Sequence, residues 1–345
     1  MKLKKIIGRT LLGLLLVIVV LAVIYRDLVG YGWMQLQGQL KVVREAVPLE
    51  EFVALPTTTE EQKEKIKIIQ EAKQFAFEEL GINYSENYST IFDQEGKPSM
   101  FVVTACDPYS FRSHLWNFPV VGRMPYKGYF IKEKAIAEYE NMKEQGYDAG
   151  LRTAGGWSTL GWFQDPVLSN MLNRSEGDLA SLIIHELTHG TLFVKDSVTF
   201  NENLATFIGD NGAVLFLENK YGKGSEAVTR YQNQLADEIT FKQYMLGAAK
   251  ALDSLYKGMN ETPDATKQQL KAELIERIKV NYETLNFRSE RYSGYFSDFT
   301  PNNTFFMSML RYNAQQDVFK KEMDEKFNGN LKAYLEYLKE KYPSV

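Results

Sequence analysis

One short motif, H-E-x-x-H, constrains this chain more than any other feature of its sequence. It lies within residues 181–190, where Glu186 follows His185 and His189 comes three residues later. On a helix, residues four apart face the same way, so both imidazoles can bind one metal ion. Glu186 cannot reach that ion easily, but it can hold and deprotonate a metal-bound water. This is the arrangement of zinc hydrolases, and it predicts one Zn²⁺ per chain.

A third protein ligand is needed, and the sequence favours a carboxylate. The chain has three histidines, and His114 is far upstream in an aromatic-rich segment, where we expect a packing or surface role. The position six after His189, which holds a third histidine in some zinc peptidases, is Lys195. Glu202 begins a new helical pattern after a connection short enough to reverse the chain. We therefore predict that His185, His189 and Glu202 bind the metal and leave a fourth position for water.

Two alternatives stay open at this stage. The motif can arise by chance in a helix, and Thr199 with Glu202 also matches a capping box, in which Glu202 would serve only its own helix end. The apolar residues around the histidines predict a buried helix, where unpartnered histidines and a glutamate would be costly. We therefore favour the metal site. Imidazole and carboxylate ligands also suit divalent metals other than zinc.

The rest of the chain predicts an α+β fold. A helical pattern over residues 60–81 precedes β-type segments at 88–92, 100–105, 147–153 and 156–163. We predict that the first two segments pair as a hairpin, and that a small mixed sheet precedes the H-E-x-x-H helix. Long helical patterns follow. The predicted domains are an α/β lobe over residues 28–196 and a helical lobe over 197–345 that supplies Glu202.

The first 27 residues predict a membrane anchor. Four basic residues precede or begin an apolar run over residues 6–25, which would make about 30 Å of helix, enough to cross a bilayer. The basic residues place the N-terminus in the cytoplasm and the body outside it, in a periplasmic or cell-surface space. A cleaved signal peptide is the alternative, but no small-x-small cleavage site follows closely. We expect a single-pass protein with a retained signal anchor.

Net charge limits the possible partners, and cysteine content limits how the fold can be stabilised. Without the four N-terminal cations, the formal net charge of −4 becomes −8 on the body, which argues against nucleic acid. The single cysteine, Cys106, excludes an internal disulfide, so the body must rely on its apolar core.

The metal motif, together with Asn201 and Glu202, resembles the gluzincin class of metallopeptidases, whose third ligand is a glutamate on the following helix. A closer resemblance is to the bacterial family named putative aminopeptidases. It extends over segments 116–122, 125–130, 158–166 and the pair Asn302 and Asn303. The resemblance implies a zincin-like fold. It also implies that Ser158, Thr159, Leu160 and Gly161 form an edge strand that pairs with the substrate backbone.

These features predict a membrane-anchored zinc peptidase that acts on a peptide or protein substrate, with Glu186 as general base and aminopeptidase activity as one option. The alternatives are a tethered binding or scaffold protein without catalysis, and a zinc hydrolase of non-peptide amides. A donor that stabilises the reaction's oxyanion is also required. Candidates for that donor lie in or next to segment 288–301: Arg291, Tyr292, Tyr295, Asn302 and Asn303.

Overall fold

The computed structural model describes residues 7, 10–14, 16, 20, 23–118, 122–154, 164–195, 197–312 and 316–342. Within them the protein is α+β, mostly helical with three small sheets. The helices are α1 (Arg26–Glu45), α2 (Leu49–Ala54), α3 (Glu60–Glu79), α4 (Lys132–Glu144), α5 (Glu176–His189), α6 (Val198–Tyr221), α7 (Glu226–Lys257), α8 (Asp264–Tyr282), α9 (Asn303–Tyr312), α10 (Gln316–Phe327) and α11 (Leu331–Lys341).

The three sheets are built from short strands. These are β1 (Val47–Pro48), β2 (Thr90–Phe92), β3 (Phe101–Cys106), β4 (Trp116–Phe118), β5 (Gly122–Met124), β6 (Lys127–Tyr129), β7 (Asp148–Thr153) and β8 (Val167–Leu168). One sheet has the order β1-β2-β8 and is mixed, because β2 is antiparallel to β1 and parallel to β8. The second has the order β6-β3-β7 and is antiparallel, and β4 pairs with β5 in the third.

The predicted hairpin between segments 88–92 and 100–105 is not formed. β2 lies between β1 and β8, whereas β3 lies between β6 and β7 in another sheet. Between the two strands, the side-chain amide of Gln94 donates to Ser99 Oγ at 2.7 Å. The local residue pattern predicted the two strands. It does not specify which strands they pair with, because those partners are distant in the sequence.

Local signals placed α3 correctly. Thr59 and Gln62 form a reciprocal capping box at its start: Thr59 Oγ1 accepts from the Gln62 N–H, and Gln62 Oε1 accepts from the Thr59 N–H. After its end, Gly81 has a φ of 74°, in the left-handed region that glycine adopts at low cost.

Helices α5 and α6 pack closely because α6 presents glycine to its neighbour. A Cβ on Gly209 would lie 2.8 Å from the Ser181 carbonyl oxygen and 3.1 Å from His185 Cβ. A Cβ on Gly212 would similarly meet Leu80 and Ile184 at 2.8 and 3.2 Å. The apolar face of α5 is buried in the largest core cluster, which also includes residues of α3, α6 and α11. The H-E-x-x-H helix is thus a buried element, as predicted.

The predicted N-terminal transmembrane helix over residues 1–27 is contradicted. Such a helix needs about 20 mostly apolar residues. Much of the apolar run lies outside the described residues, and α1, which begins directly after it, carries five charged residues in RDLVGYGWMQLQGQLKVVRE. Among the described residues, none of the helices combines the length and the apolar character that crossing a bilayer requires. The predictions of a transmembrane helix and of a single-pass location are therefore wrong, and attachment to a membrane through that helix is not supported.

The division of the body at residue 196 stays a prediction. Besides the largest cluster, the described residues include a second apolar cluster among α7, α8 and α9 and a third around β3, β7 and α4. Lys271 of α8 and Asn303 of α9 both bond to the Asp148 carboxylate, which joins the C-terminal helices to the antiparallel sheet.

We expect Gly209→Ala to lower the free energy of unfolding by about 1 to 3 kcal/mol, because the added methyl group would force α6 away from α5. Urea denaturation followed by circular dichroism would measure the change.

Gly247→Ala provides the matched control, since Gly247 lies in helix α7 with nothing within 4 Å of its Cβ position. That variant should be more stable by about 0.5 to 1 kcal/mol, because alanine favours the helix interior. If Gly209→Ala were as stable as Gly247→Ala, the close approach of α5 and α6 would be contradicted.

Candidate metal centre

The two histidines of the motif lie on one face of α5, near its C-terminal end. Ser175 caps the start of this helix by accepting a hydrogen bond from the Asp178 N–H at 3.2 Å. The rings of His185 and His189 pack edge to face, with centroids 4.8 Å apart. Their Nε2 atoms are 3.2 Å apart and so converge on one point.

Glu202 on α6 reaches the same point. Its Oε2 lies 3.7 Å from His185 Nε2, and its Oε1 lies 3.7 Å from His189 Nε2. Helix α6 runs back along α5, since Glu202 contacts His189 near the end of α5 while Asp210 contacts Ser181 one turn before His185. The structure thus brings together the three predicted ligands, with one ligand atom from each inside a 4.8 Å cluster.

The capping box considered for Glu202 is not formed. Helix α6 begins one residue after Ser197, and this N-cap makes no side-chain capping bond. Thr199 lies inside the first turn, where its carbonyl oxygen accepts from the Asn203 side chain. The Glu202 carboxylate faces the histidines instead.

The donor set suits a tetrahedral divalent cation. Ligand atoms bound at 2.0–2.1 Å in tetrahedral geometry would be roughly 3.3–3.4 Å apart. The measured separations of 3.2 and 3.7 Å bracket this value. Burial lowers the pKa of His185 to about 3, with a contribution from His189, and lowers the pKa of His189 to about 4. Both imidazoles are therefore neutral at pH 7, and neutral imidazole is the form that binds metal.

His189 Nδ1 is the ring nitrogen that would point away from a cation bound at Nε2. It is buried and has no hydrogen-bond partner within the described residues. Two neutral imidazoles at this distance can share one hydrogen bond, in which one Nε2 donates and the other accepts, whereas a cation would be bound by the lone pairs of both Nε2 atoms. His114, by contrast, packs on Trp116 and Tyr147 at centroid distances of 4.6 and 5.1 Å, in agreement with its predicted packing role.

Glu186 lies in an environment that opposes its ionisation. Burial raises its pKa to about 7, the carboxylates of Glu202 and Asp165 add to this effect, and Arg174 opposes it. A divalent cation beside Glu202 would favour the ionised form. A carboxyl group with a pKa near the working pH can both accept and donate a proton.

Sequence reasoning missed Tyr88 beside Glu186. Its side chain is buried, and Glu186 and Asp165 help to raise its pKa. Its backbone has a φ of 61°, unusual for a bulky residue, and its N–H donates to the Asp165 carbonyl oxygen at 2.7 Å. Strained backbone of this kind is often found at functional sites. The sequence contains no feature from which a positive φ at this tyrosine could be predicted.

Several predicted elements of the site lie elsewhere or outside the described residues. Ser158, Thr159, Leu160 and Gly161 fall in 155–163, which the structure does not describe. Arg291 pairs with Asp178. Asp178 is seven residues before His185 and so lies about 10 Å from it, toward the N-terminus of α5.

The remaining oxyanion candidates bond to or pack against residues outside the ligand cluster. Asn302 donates to the Ala149 carbonyl oxygen, and Asn303 accepts from Tyr256. Tyr292 and Tyr295 pack on Phe241.

We expect Zn²⁺ to stabilise the folded protein, because binding to the native state alone at about 100 times the Kd adds about 2.7 kcal/mol. Differential scanning fluorimetry should show a melting temperature that falls with a chelator and recovers with Zn²⁺. His185→Ala and His189→Ala should remove the response, whereas His114→Ala, the matched histidine control, should keep it. An equal response in all of these variants would exclude the cluster as the binding site.

Comparison with known proteins places this site in a family. Neither the curated proteins nor the solved structures gave a match to the chain. The model of one family, described as "Putative aminopeptidase", matches residues 30–341, which include all of α5 and α6. That description indicates a peptidase and hence a peptide or protein substrate. Because the match spans most of the 345 residues, the chain belongs to the putative aminopeptidase family.

Proposed function

We propose that this protein is a zinc-dependent peptidase in which His185, His189 and Glu202 hold one Zn²⁺ and Glu186 is the general base. The observation that carries the proposal is the convergence of two neutral imidazoles and a carboxylate on one point, with separations of 3.2 and 3.7 Å. Family membership supports the peptidase part of the proposal.

Each residue has a distinct task. When bound, zinc would act as a Lewis acid toward the substrate carbonyl and would make water more acidic. The imidazoles supply uncharged donors, and Glu202 supplies a negative charge that favours a divalent over a monovalent cation. Glu186 lies close enough to Glu202 for the two carboxylates to interact, since the charge of Glu202 helps to raise the pKa of Glu186.

Glu186 moves the proton. In its ionised form it would accept a proton from the attacking water, and in its neutral form it would donate that proton to the leaving amine. Without a cation, burial raises the pKa of Glu186 to about 7, and a divalent cation beside Glu202 would favour the ionised form that accepts the proton.

For the substrate we propose a peptide bound in extended form along residues 158–161, which directly precede the segment leading into α5. Backbone pairing of this kind would accept many sequences. The family description favours cleavage at the amino end of the peptide. Libraries with free and with acetylated amino ends would separate aminopeptidase from endopeptidase action.

Replacing the general base provides the direct test. Glu186→Gln should retain zinc, because the residue is not a ligand, and should lose peptide hydrolysis by about 10²- to 10⁴-fold. Turnover of a fluorogenic peptide library and metal content would be measured on the same preparations.

Glu226→Gln is the matched control, because it makes the same chemical change at an exposed carboxylate whose ion pair among the described residues is with Arg230 on its own helix. An unchanged rate in Glu186→Gln would overturn the role of Glu186. A wild-type protein that binds zinc but cleaves no peptide would instead support a binding or scaffold protein, and cleavage confined to non-peptide amides would support the other hydrolase class.

A further inference from the structure

A buried asparagine closes the connection between the two helices that supply the ligands. Asn201 has 2 % of its surface exposed and lies in the first turn of α6. Its side-chain Oδ1 accepts a hydrogen bond from the Val194 N–H at 2.9 Å, and its Nδ2 donates to the Val194 carbonyl oxygen at 2.8 Å. One side-chain amide therefore satisfies both backbone groups of a single loop residue.

This pair of hydrogen bonds suits asparagine in particular. The side chain must present a donor and an acceptor on two adjacent atoms, at short reach, to one backbone residue. An ionised carboxylate and an apolar group lack the donor, and a hydroxyl carries both functions on a single atom. The Val194 carbonyl also accepts from the Ser197 N–H at 3.3 Å. Because Ser197 makes no side-chain capping bond, the Asn201 amide is a principal tie between the start of α6 and the loop.

The tie lies directly beside the ligands. Asn201 is the neighbour of Glu202, and Val194 is five residues beyond His189. One of the two bonded residues is therefore in the loop after α5 and the other is on α6, next to a ligand. A shift of α6 by one residue would move Glu202 by 1.5 Å along the helix and turn it by about 100°. Either change would take its oxygens away from the histidine nitrogens, which they now approach at 3.7 Å.

We infer that Asn201 is a positioning residue, whose paired bonds to Val194 fix the register of α6 and so pre-organise Glu202 for the cation held with His185 and His189. The inference rests on the proposed metal site. On the other side of the site, one turn before His185, Asp210 Oδ1 accepts from Ser181 Oγ at 2.8 Å, so the site lies between two polar ties that join α5 and its loop to α6. Ligands held in place before binding lose less conformational freedom when the metal binds.

Two readouts on the full chain test the inference. Zinc affinity, measured by competition with a chromogenic chelator, should be about 10- to 100-fold weaker in Asn201→Ala, as is typical when groups that orient metal ligands are lost. Amide hydrogen exchange of the metal-free protein should be faster at Val194 in that variant. Asn211→Ala is the matched control, because Asn211 is also on α6 and its side chain donates, within the part of the chain that the structure describes, to the Phe207 carbonyl of its own helix.

The outcomes separate the inference from the proposed function. If the wild type binds zinc and Asn201→Ala binds it equally well, the positioning role is overturned and the metal site stands. If the wild type binds no zinc, the proposed function fails and the positioning role fails with it. Unchanged exchange at Val194 would overturn the tie itself, whatever the metal result.

A second variant covers the case in which Asn201→Ala does not fold. Asn201→Asp keeps the oxygen that accepts from the Val194 N–H but replaces the donor by an oxygen, which repels the Val194 carbonyl. Its added negative charge would by itself attract a cation. Weaker zinc binding in Asn201→Asp would therefore support positioning. Binding as tight as that of the wild type at about 1 M salt, where the added charge is screened, would overturn it.

Discussion

The close packing of α5 against α6 is the contact on which the rest of the site depends. Two of the three candidate ligands come from one helix and the third from the other, so their convergence is a property of the helix pair. Gly209 permits the approach, since its Cβ position lies 3.1 Å from His185 Cβ. Polar ties at Asn201 and Asp210 then set the register along which the helices meet.

Burial gives the site its chemistry. It holds both imidazoles neutral and raises the pKa of Glu186 to about 7, so the same desolvation provides metal donors and a carboxyl group that can carry a proton in either direction. In water at a pH near 6.5, the ordinary pKa of histidine, the two imidazoles would be partly protonated and the glutamate would be fully ionised. The apolar core around α5 therefore contributes to the proposed function as well as to the stability of the fold.

Sequence reasoning succeeded where the signal is local. The i, i+4 histidines and the downstream glutamate follow from spacing along two helices, and the structure brings these three side chains together. It failed where the answer depends on distant residues. The partners of β2 and β3 and the strained backbone of Tyr88 depend on contacts across the fold. The apolar N-terminal run also led to a transmembrane helix that the described structure does not support.

Metal analysis of the purified full chain tests the central claim most directly. Elemental analysis of the wild type and of Glu202→Ala, each loaded with Zn²⁺ and desalted, would count the bound ions. We predict one zinc per chain in the wild type and its loss in Glu202→Ala, because two imidazoles alone do not complete a catalytic zinc site. Full zinc occupancy in Glu202→Ala would contradict the ligand set on which the account rests.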